Sequence, residues 1–352
     1  MKRILCAVTA LTLLITLLTA CGGPGTTLSI GGAQVGSEIY TYYYDLVKRA
    51  PAEYPGDARE RAVALCKEYV AVNTLAAELS LTLRTEQAAA VSSWVNQQWR
   101  FFSVYYEGLG ISKQTLTKIR EQEAQKERLL EAYYGTEGLQ PVSEEELKAY
   151  FSGHFVVFKA INGYLTDTDD TGAPVALSDA RVNEIKQQFN TMAEQIRKGT
   201  SIDAVNTQYM KSQNSAETGE FTASVIDAQN ADYPKGFYDQ VAAMKTNDVK
   251  VITMSTFLYV VQKLDALGDQ GRYFTQYRTD VLASMKGGDF EALLQERENS
   301  FEIKEKSAAL KKCEKLVNEK HATESAADPQ TQAAGGTNAT APQSTAAGDT
   351  AQ

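Results

Sequence analysis

The stretch VSEEELKAYF (142–151), followed almost at once by FVVFKAI (155–161), decides how this chain is organised. Ser143 and Glu146 stand at the spacing of a capping box, in which the hydroxyl takes an N–H of the first turn and the glutamate returns to the cap's own N–H. Val142 and Leu147 bracket that box as a hydrophobic staple. A helix therefore starts here, and FVVFKAI, β-branched and aromatic, is a strand. Downstream the helical period returns in Val182, Ile185, Phe189, Met192 and Ile196, and Gly199 supplies a stop. A shorter helix around Ile202, Val205 and Tyr209 comes next, then two adjacent strands, VKVITM (249–254) and FLYVVQKL (257–264). This order, β-α-α-β-β, predicts a small α+β domain over 142–268.

Upstream of Val142 the pattern is helical. LSIGGAQVGSEIY (28–40) reads as two short extended pieces around Gly31-Gly32, with Ser37 placed to cap a helix carrying Ile39, Tyr43, Leu46 and Ala50. Pro51 and Pro55 end that helix, and three more follow near 58–79, 86–106 and 113–134. A helical module thus covers 28–141. Beyond the α+β domain, Phe274, Tyr277 and Val281 restore the helical period. SFEIKEK (300–306) is extended, and a last helix bears Leu310, Cys313 and Val317, so that 269–321 is a C-terminal segment. Residues 322–352 fall to Ala, Thr, Gln, Gly, Pro and Ser, too little apolar surface to order themselves.

Lys2 and Arg3 head an uncharged run from Ile4 to Ala20, the layout of a secretory signal segment over 1–20. Leu18-Thr19-Ala20-Cys21 resembles the bacterial lipobox, which implies lipid attachment at Cys21 and a tether over 21–27, the rival reading being an uncleaved anchor. Loss of 1–20 leaves 33 basic residues against 44 acidic ones, a net of −11, which argues against a nucleic-acid partner.

Taken together, the opening strand-turn-helix, the lead-in at VSEEELKAYF, the run QIRKGTSIDAV (195–205) and the close GFYDQVAAMKTNDVKVITMSTFLYVVQKLDA (236–266) resemble the foldase lipoproteins of the PrsA/SurA type. The resemblance spans nearly the whole chain between signal and tail. It implies an α+β fold in which a helical chaperone module, completed by the C-terminal segment, carries an inserted parvulin-like (PpiC-type) prolyl isomerase domain. It also implies a lipid-anchored protein on the extracytoplasmic face of the cell membrane, with unfolded or emerging secreted polypeptides as partners and no cofactor.

The histidines of active parvulins are missing from their usual places. The slot on the first strand falls on Ala160 or Asn162, a two-residue ambiguity, and the slot on the closing strand falls on Tyr259. A slid alignment would use His154, and His321 reads as a bystander at the edge of the tail. The expected function is therefore a chaperone with weak or lost isomerase activity. An active isomerase and a lipid-anchored scaffold for one dedicated envelope partner are the alternatives.

HExxH, CxxC, P-loop and GxGxxG patterns are absent. Asp167, Asp169 and Gly172 mimic a calcium loop, but Ser178 stands where its bidentate glutamate belongs, so a solvated turn is the better reading and no metal is expected. Trp94, Trp99, Phe102 and Tyr105 are candidates for holding unfolded clients, with Trp94 expected to be the more exposed tryptophan; ordinary packing is the competing reading, for these and for Tyr42–Tyr44. Cys66 flanks the apolar stripe of the second helix and Cys313 lies on that of the last. If the C-terminal segment folds back as the resemblance implies, the two thiols could pair; two separately buried cysteines are the simpler reading.

Overall fold

Gly31 (φ 58°) and Gly32 (φ 89°) join β1 (Thr26–Ile30) to β2 (Ala33–Gly36) in a two-residue hairpin. Positive φ at both central residues gives the turn whose twist matches its strands, and glycine adopts it without strain. Gly31 is also pressed against Phe301, whose ring would lie 2.5 Å from a β-carbon there. The computed structural model describes residues 25–169, 171–213 and 221–327. The signal segment, Cys21 and most of the tail lie outside them. The described residues fall into two units, 142–285 and the remainder. The architecture is α+β.

In the first unit α1 (Ser37–Arg49) runs through the core, burying Tyr40, Tyr42, Tyr43, Tyr44 and Val47 almost all round its axis. The Tyr42–Tyr44 cluster is therefore packing. Ser37 is the first helical residue, not the cap: Gly36 holds that position, and the Ser37 N–H donates to the Gly25 carbonyl at 3.0 Å. Asp57 caps α2 (Ala58–Glu78) through the Glu60 N–H. Its buried face includes Ala62, Cys66 and Val70, so Cys66, expected beside the stripe, is fully enclosed. Next come α3 (Thr85–Gly108) and α4 (Lys113–Tyr134). Glu38 of α1 ties the start of α4, accepting from the Ser112 N–H (2.9 Å), the Ser112 hydroxyl (2.6 Å) and the Thr115 hydroxyl (2.6 Å).

The second unit opens with the capping box: the Ser143 hydroxyl accepts from the Glu146 N–H and Glu146 accepts from the Ser143 N–H, starting α5 (Glu144–His154) over a buried Val142 and Leu147. β3 (Val156–Tyr164) leads into a small hairpin, β4 (Thr166–Thr168) with β5 (Pro174–Ala176). At its turn Asp169 accepts from the Thr171 N–H, the Thr171 hydroxyl and the Ala173 N–H, so the acidic loop uses this carboxylate to close itself. Then follow α6 (Asp179–Arg197), α7 (Ile202–Ser212), β6 (Ser224–Ile226), α8 (Phe237–Ala242), β7 (Val249–Thr253) and β8 (Phe257–Lys263). The sheet is antiparallel in the order β6-β3-β8-β7.

Alternation along the strands gives this sheet two buried faces. Val156, Phe158, Tyr259 and Val261 meet α8 through Phe237 and Val241. Ile161, Leu258 and Val260 meet Phe189, Met192 and Ile196 of α6. Gly163 lets Phe189 lie against the strand, since a β-carbon there would fall 2.4 Å from Phe189 Cζ. Gly163→Ala is expected to cost about 1–3 kcal/mol by overpacking, read as a lower urea midpoint of this unit with an unchanged slope.

The long helix α9 (Arg272–Asn299) begins in the second unit, where Phe274 is buried against Phe151 with ring centroids 5.8 Å apart. The second unit accordingly runs to Met285, past the boundary expected after residue 268. Within the first unit, Lys126 bonds Glu291 of α9 at 2.9 Å, and Arg297 pairs with Glu78. β9 (Ile303–Glu305) then adds to β1, giving the sheet order β2-β1-β9. Last comes α10 (Ser307–Ala327), whose Leu310, Cys313 and Val317 complete the core of the N-terminal helices. It continues five residues beyond Ala322, so 322–327 is helical where a structureless tail was expected.

Arg59 grips Glu314 of α10 with both nitrogens (2.7 and 2.6 Å), and Tyr40 donates to the same carboxylate at 2.8 Å. The Arg59 bonds, more than any other contact, hold the Glu314 carboxyl below its ordinary value of 4.5. A folded-state value below the unfolded one adds stability above about pH 4.5 that is lost as pH falls through the folded value. Glu314→Gln is therefore expected to be less stable at neutral pH and to show a shallower decline in melting temperature below pH 4.5.

Candidate functional site

The floor of the candidate site is the end of the sheet face that α8 leaves open. On β3 the residues sharing that face are Phe158, Ala160, Asn162 and Tyr164; on β8 they are Phe257, Tyr259 and Val261. The antiparallel register sets Asn162 directly across from Tyr259, and Ala160 across from Val261. Of the two candidates for the first-strand slot, Asn162 is the one opposite the second slot, and both line the same groove. A wall comes from Ala231, Asp232, Tyr233 and Pro234, and a rim from Ser255 and Thr256 at the β7–β8 turn. The groove encloses about 600 Å³.

Its aromatic wall is braced from behind. Tyr233 stacks on Phe237 with centroids 4.6 Å apart, and Phe237 in turn meets Tyr259 at 4.8 Å and Phe158 at 5.4 Å. The Tyr233 hydroxyl lies 3.0 Å from the Ser224 hydroxyl. Outward, Phe257 packs at 5.4 Å on Tyr164, which is exposed. Burial pushes the Tyr259 and Tyr233 phenols above their ordinary range, so both remain protonated at neutral pH. Lys263, at the far end of β8, donates to the Ala242 and Met244 carbonyls at 2.8 and 2.7 Å and closes the C-terminal end of α8.

Chemically the groove is mixed: the rings of Tyr233, Pro234, Phe257 and Tyr259 stand beside one side-chain amide, the Ser255 and Thr256 hydroxyls and a carboxylate, Asp232. None of its lining residues is histidine. His154 sits instead on the last turn of α5, stacked on Tyr150 at 3.9 Å and bonded through Nδ1 to the Tyr150 carbonyl.

The client-binding candidates belong to the other unit. Trp94 is half-buried against the core with the Arg120 guanidinium 5.3 Å over its ring, and Trp99 is likewise half-buried. The two tryptophans fall in the same half-buried range, and the Arg120 side chain of α4 lies over the Trp94 ring. Tyr105 is a packing residue too: its hydroxyl donates at 2.6 Å to Asp45, a carboxylate with no exposed surface. Phe102 is exposed, and so are Phe101 and Val104, which were not among the candidates. They sit in the last turns of α3, where burial lapses between Val95 and Tyr106.

Asp45 also accepts from Arg49 Nε at 2.9 Å and pairs with His321 Nε2 at 2.8 Å. His321, expected to be a bystander, thus fastens α10 to α1. Cys66 and Cys313 are both buried free thiols, so the disulfide is not formed; Cys313 Sγ is directed to the Ser37 carbonyl, 3.9 Å away.

Among the described residues no helix is long and apolar enough to cross a membrane. No protein-family model matches the chain, and no curated protein matches it. Among solved structures it is similar to the foldase protein PrsA of Streptococcus pneumoniae, at 11% identity and a TM-score of 0.38, with 73% of this chain and 87% of that chain covered. It is similar to the foldase protein PrsA of Lactococcus lactis at 14% identity and a TM-score of 0.36, covering 83% of this chain and 99% of that one. A further similarity is to the SurA-like chaperones PEB4 and Cj1289 of Campylobacter jejuni, at 11% identity and a TM-score of 0.29, over 80% of this chain and 98% of that one.

Proposed function

We propose that this protein is a lipid-anchored extracytoplasmic chaperone that assists the folding of secreted polypeptides, with a parvulin-like groove that holds extended segments and isomerises prolyl bonds weakly or not at all. One observation carries the reading: Asn162 and Tyr259, two of the candidates for the histidine slots that the resemblance implies, face each other across the floor of an aromatic-walled groove. The seat suits a proline or aromatic ring, and the Asn162 amide can both donate to and accept from a peptide backbone.

Prolyl isomerisation breaks no covalent bond. Its barrier, roughly 18–20 kcal/mol, is amide resonance, and only preferential binding of the twisted amide lowers it. The exposed trio Phe101, Phe102 and Val104 adds an apolar surface of the kind that engages unfolded chains.

Titrating the isotope-labelled chain, from Gly22 on, with an extended proline-containing peptide tests the groove. Shifts centred on the Asn162 side-chain amide and the Ser255–Thr256 turn are expected, and these should vanish in Tyr233→Ala. Binding that leaves the groove unshifted would contradict the reading.

A further inference from the structure

The chain is acidic overall, with a net charge of −9, yet Lys304, Lys306, Lys311, Lys312 and Lys315 gather on exposed positions of β9 and the first turns of α10. Lys311 and Lys315 lie one turn apart on the outward side, opposite buried Leu310, Cys313 and Val317. The carboxylates around them do little to neutralise them. Lys304 meets Glu302 at 3.4 Å and Lys315 meets Glu319 at 3.6 Å, in pairs at least 64% exposed and hence weak. Glu314 is occupied by Arg59 and Tyr40, which leaves Glu305 as an exposed carboxylate between Lys304 and Lys306. Lys306, Lys311 and Lys312 pair with none of the described carboxylates.

Local physics disfavours such a cluster. The positive end of the α10 dipole lies at Ser307, and its first turn carries no acidic residue to offset it. Lysines crowded there repel one another and the helix end, which an anion from outside the fold would relieve.

The fold fixes where this patch lies relative to the chain's entry. The Lys306 N–H donates to the Thr27 carbonyl at 2.9 Å, and Lys304 stands opposite Ser29. From Thr27 back to Cys21 is six residues, a span of at most about 22 Å. Lys315 is nine residues along the helix from Lys306, about 14 Å. We infer that this lysine face docks on an anionic lipid surface and serves as a second, electrostatic contact beside the lipid on Cys21. The inference rests on the lipoprotein reading of Cys21. Near an anionic surface each lysine strengthens attachment by roughly fivefold, and the face fixes which side of the first unit turns toward the bilayer.

The test uses the full lipidated chain on vesicles of phosphatidylcholine alone or with phosphatidylglycerol. Flotation is followed first, then amine-reactive labelling read residue by residue by mass spectrometry. On phosphatidylglycerol vesicles the labelling of Lys306, Lys311, Lys312 and Lys315 is expected to slow about three- to tenfold relative to phosphatidylcholine, and to recover at about 0.5 M salt as screening shortens the field. Lys198 and Lys245, exposed in the second unit, report the unperturbed rate. Lys311→Ala with Lys312→Ala and Lys315→Ala, all surface changes, should remove the protection of Lys306. Flotation on both vesicles with equal labelling overturns the docking face and leaves the anchor standing. Failure to float with phosphatidylcholine overturns the anchor reading itself, and the inference with it.

Discussion

Replacing Asp45 with alanine is expected to lower the stability of the first unit by about 3 kcal/mol, because a carboxylate with no exposed surface leaves three partners unanswered. Arg49 Nε, the Tyr105 hydroxyl and His321 Nε2 all converge on it, from α1, α3 and α10. Arg49 is 44% exposed and can turn to water, which keeps the cost at the lower end of the range for a broken buried pair. Tyr105 is half-buried and has less freedom to do so. His321→Ala removes one contact of the three and should cost about 1 kcal/mol. Scanning calorimetry that resolves the two units should show the first transition fall by roughly 10 °C in Asp45→Ala, with the second unmoved. An unchanged first transition would mean that the network contributes no net stability.

Phe237→Ala is expected to have a comparable or larger effect on the second unit, about 3–5 kcal/mol. Phe237 has no exposed surface and its ring touches those of Phe158, Tyr233 and Tyr259. Truncation opens a cavity behind the groove wall and frees Tyr233 from the ring that positions it. Phe237→Leu, nearer in volume, should cost less than about 1.5 kcal/mol. The pair separates two effects: peptide binding should weaken in the leucine variant although the unit stays folded, since the 4.6 Å stack under Tyr233 is lost. Chemical denaturation gives the stability difference, and peptide titration of the folded leucine variant gives the functional one.

Local chemistry made much of this fold legible. Ser143 with Glu146 marked a helix start, Gly31-Gly32 a hairpin, and the 3.6-residue period the longer helices, because each signal lies within a few residues. Elements of three residues, β6 and the β4–β5 hairpin, carry too little pattern to be read. The extent of α9 in the second unit was missed because Phe274 depends on Phe151, more than a hundred residues away. The same reason hid the Asp45–His321 pair, separated by 276 positions. At the groove, the resemblance gave Ala160, Asn162 and Tyr259 as candidates but not their register, in which a shift of one residue sends a side chain to the other face. Tyr233 and Pro234 enter from a loop whose path no periodicity records.

The most direct test measures, on one preparation of the chain from Gly22 on, prolyl cis/trans exchange in X-Pro peptides by NMR and the suppression of aggregation of an unfolded client. The account predicts clear suppression, weakened by Phe101→Ser with Phe102→Ser, and exchange at or barely above the uncatalysed rate of tens to hundreds of seconds. Rapid exchange abolished by Asn162→Ala or Tyr259→Phe would show an active isomerase working without histidines. Together with absent suppression, that result would contradict the account.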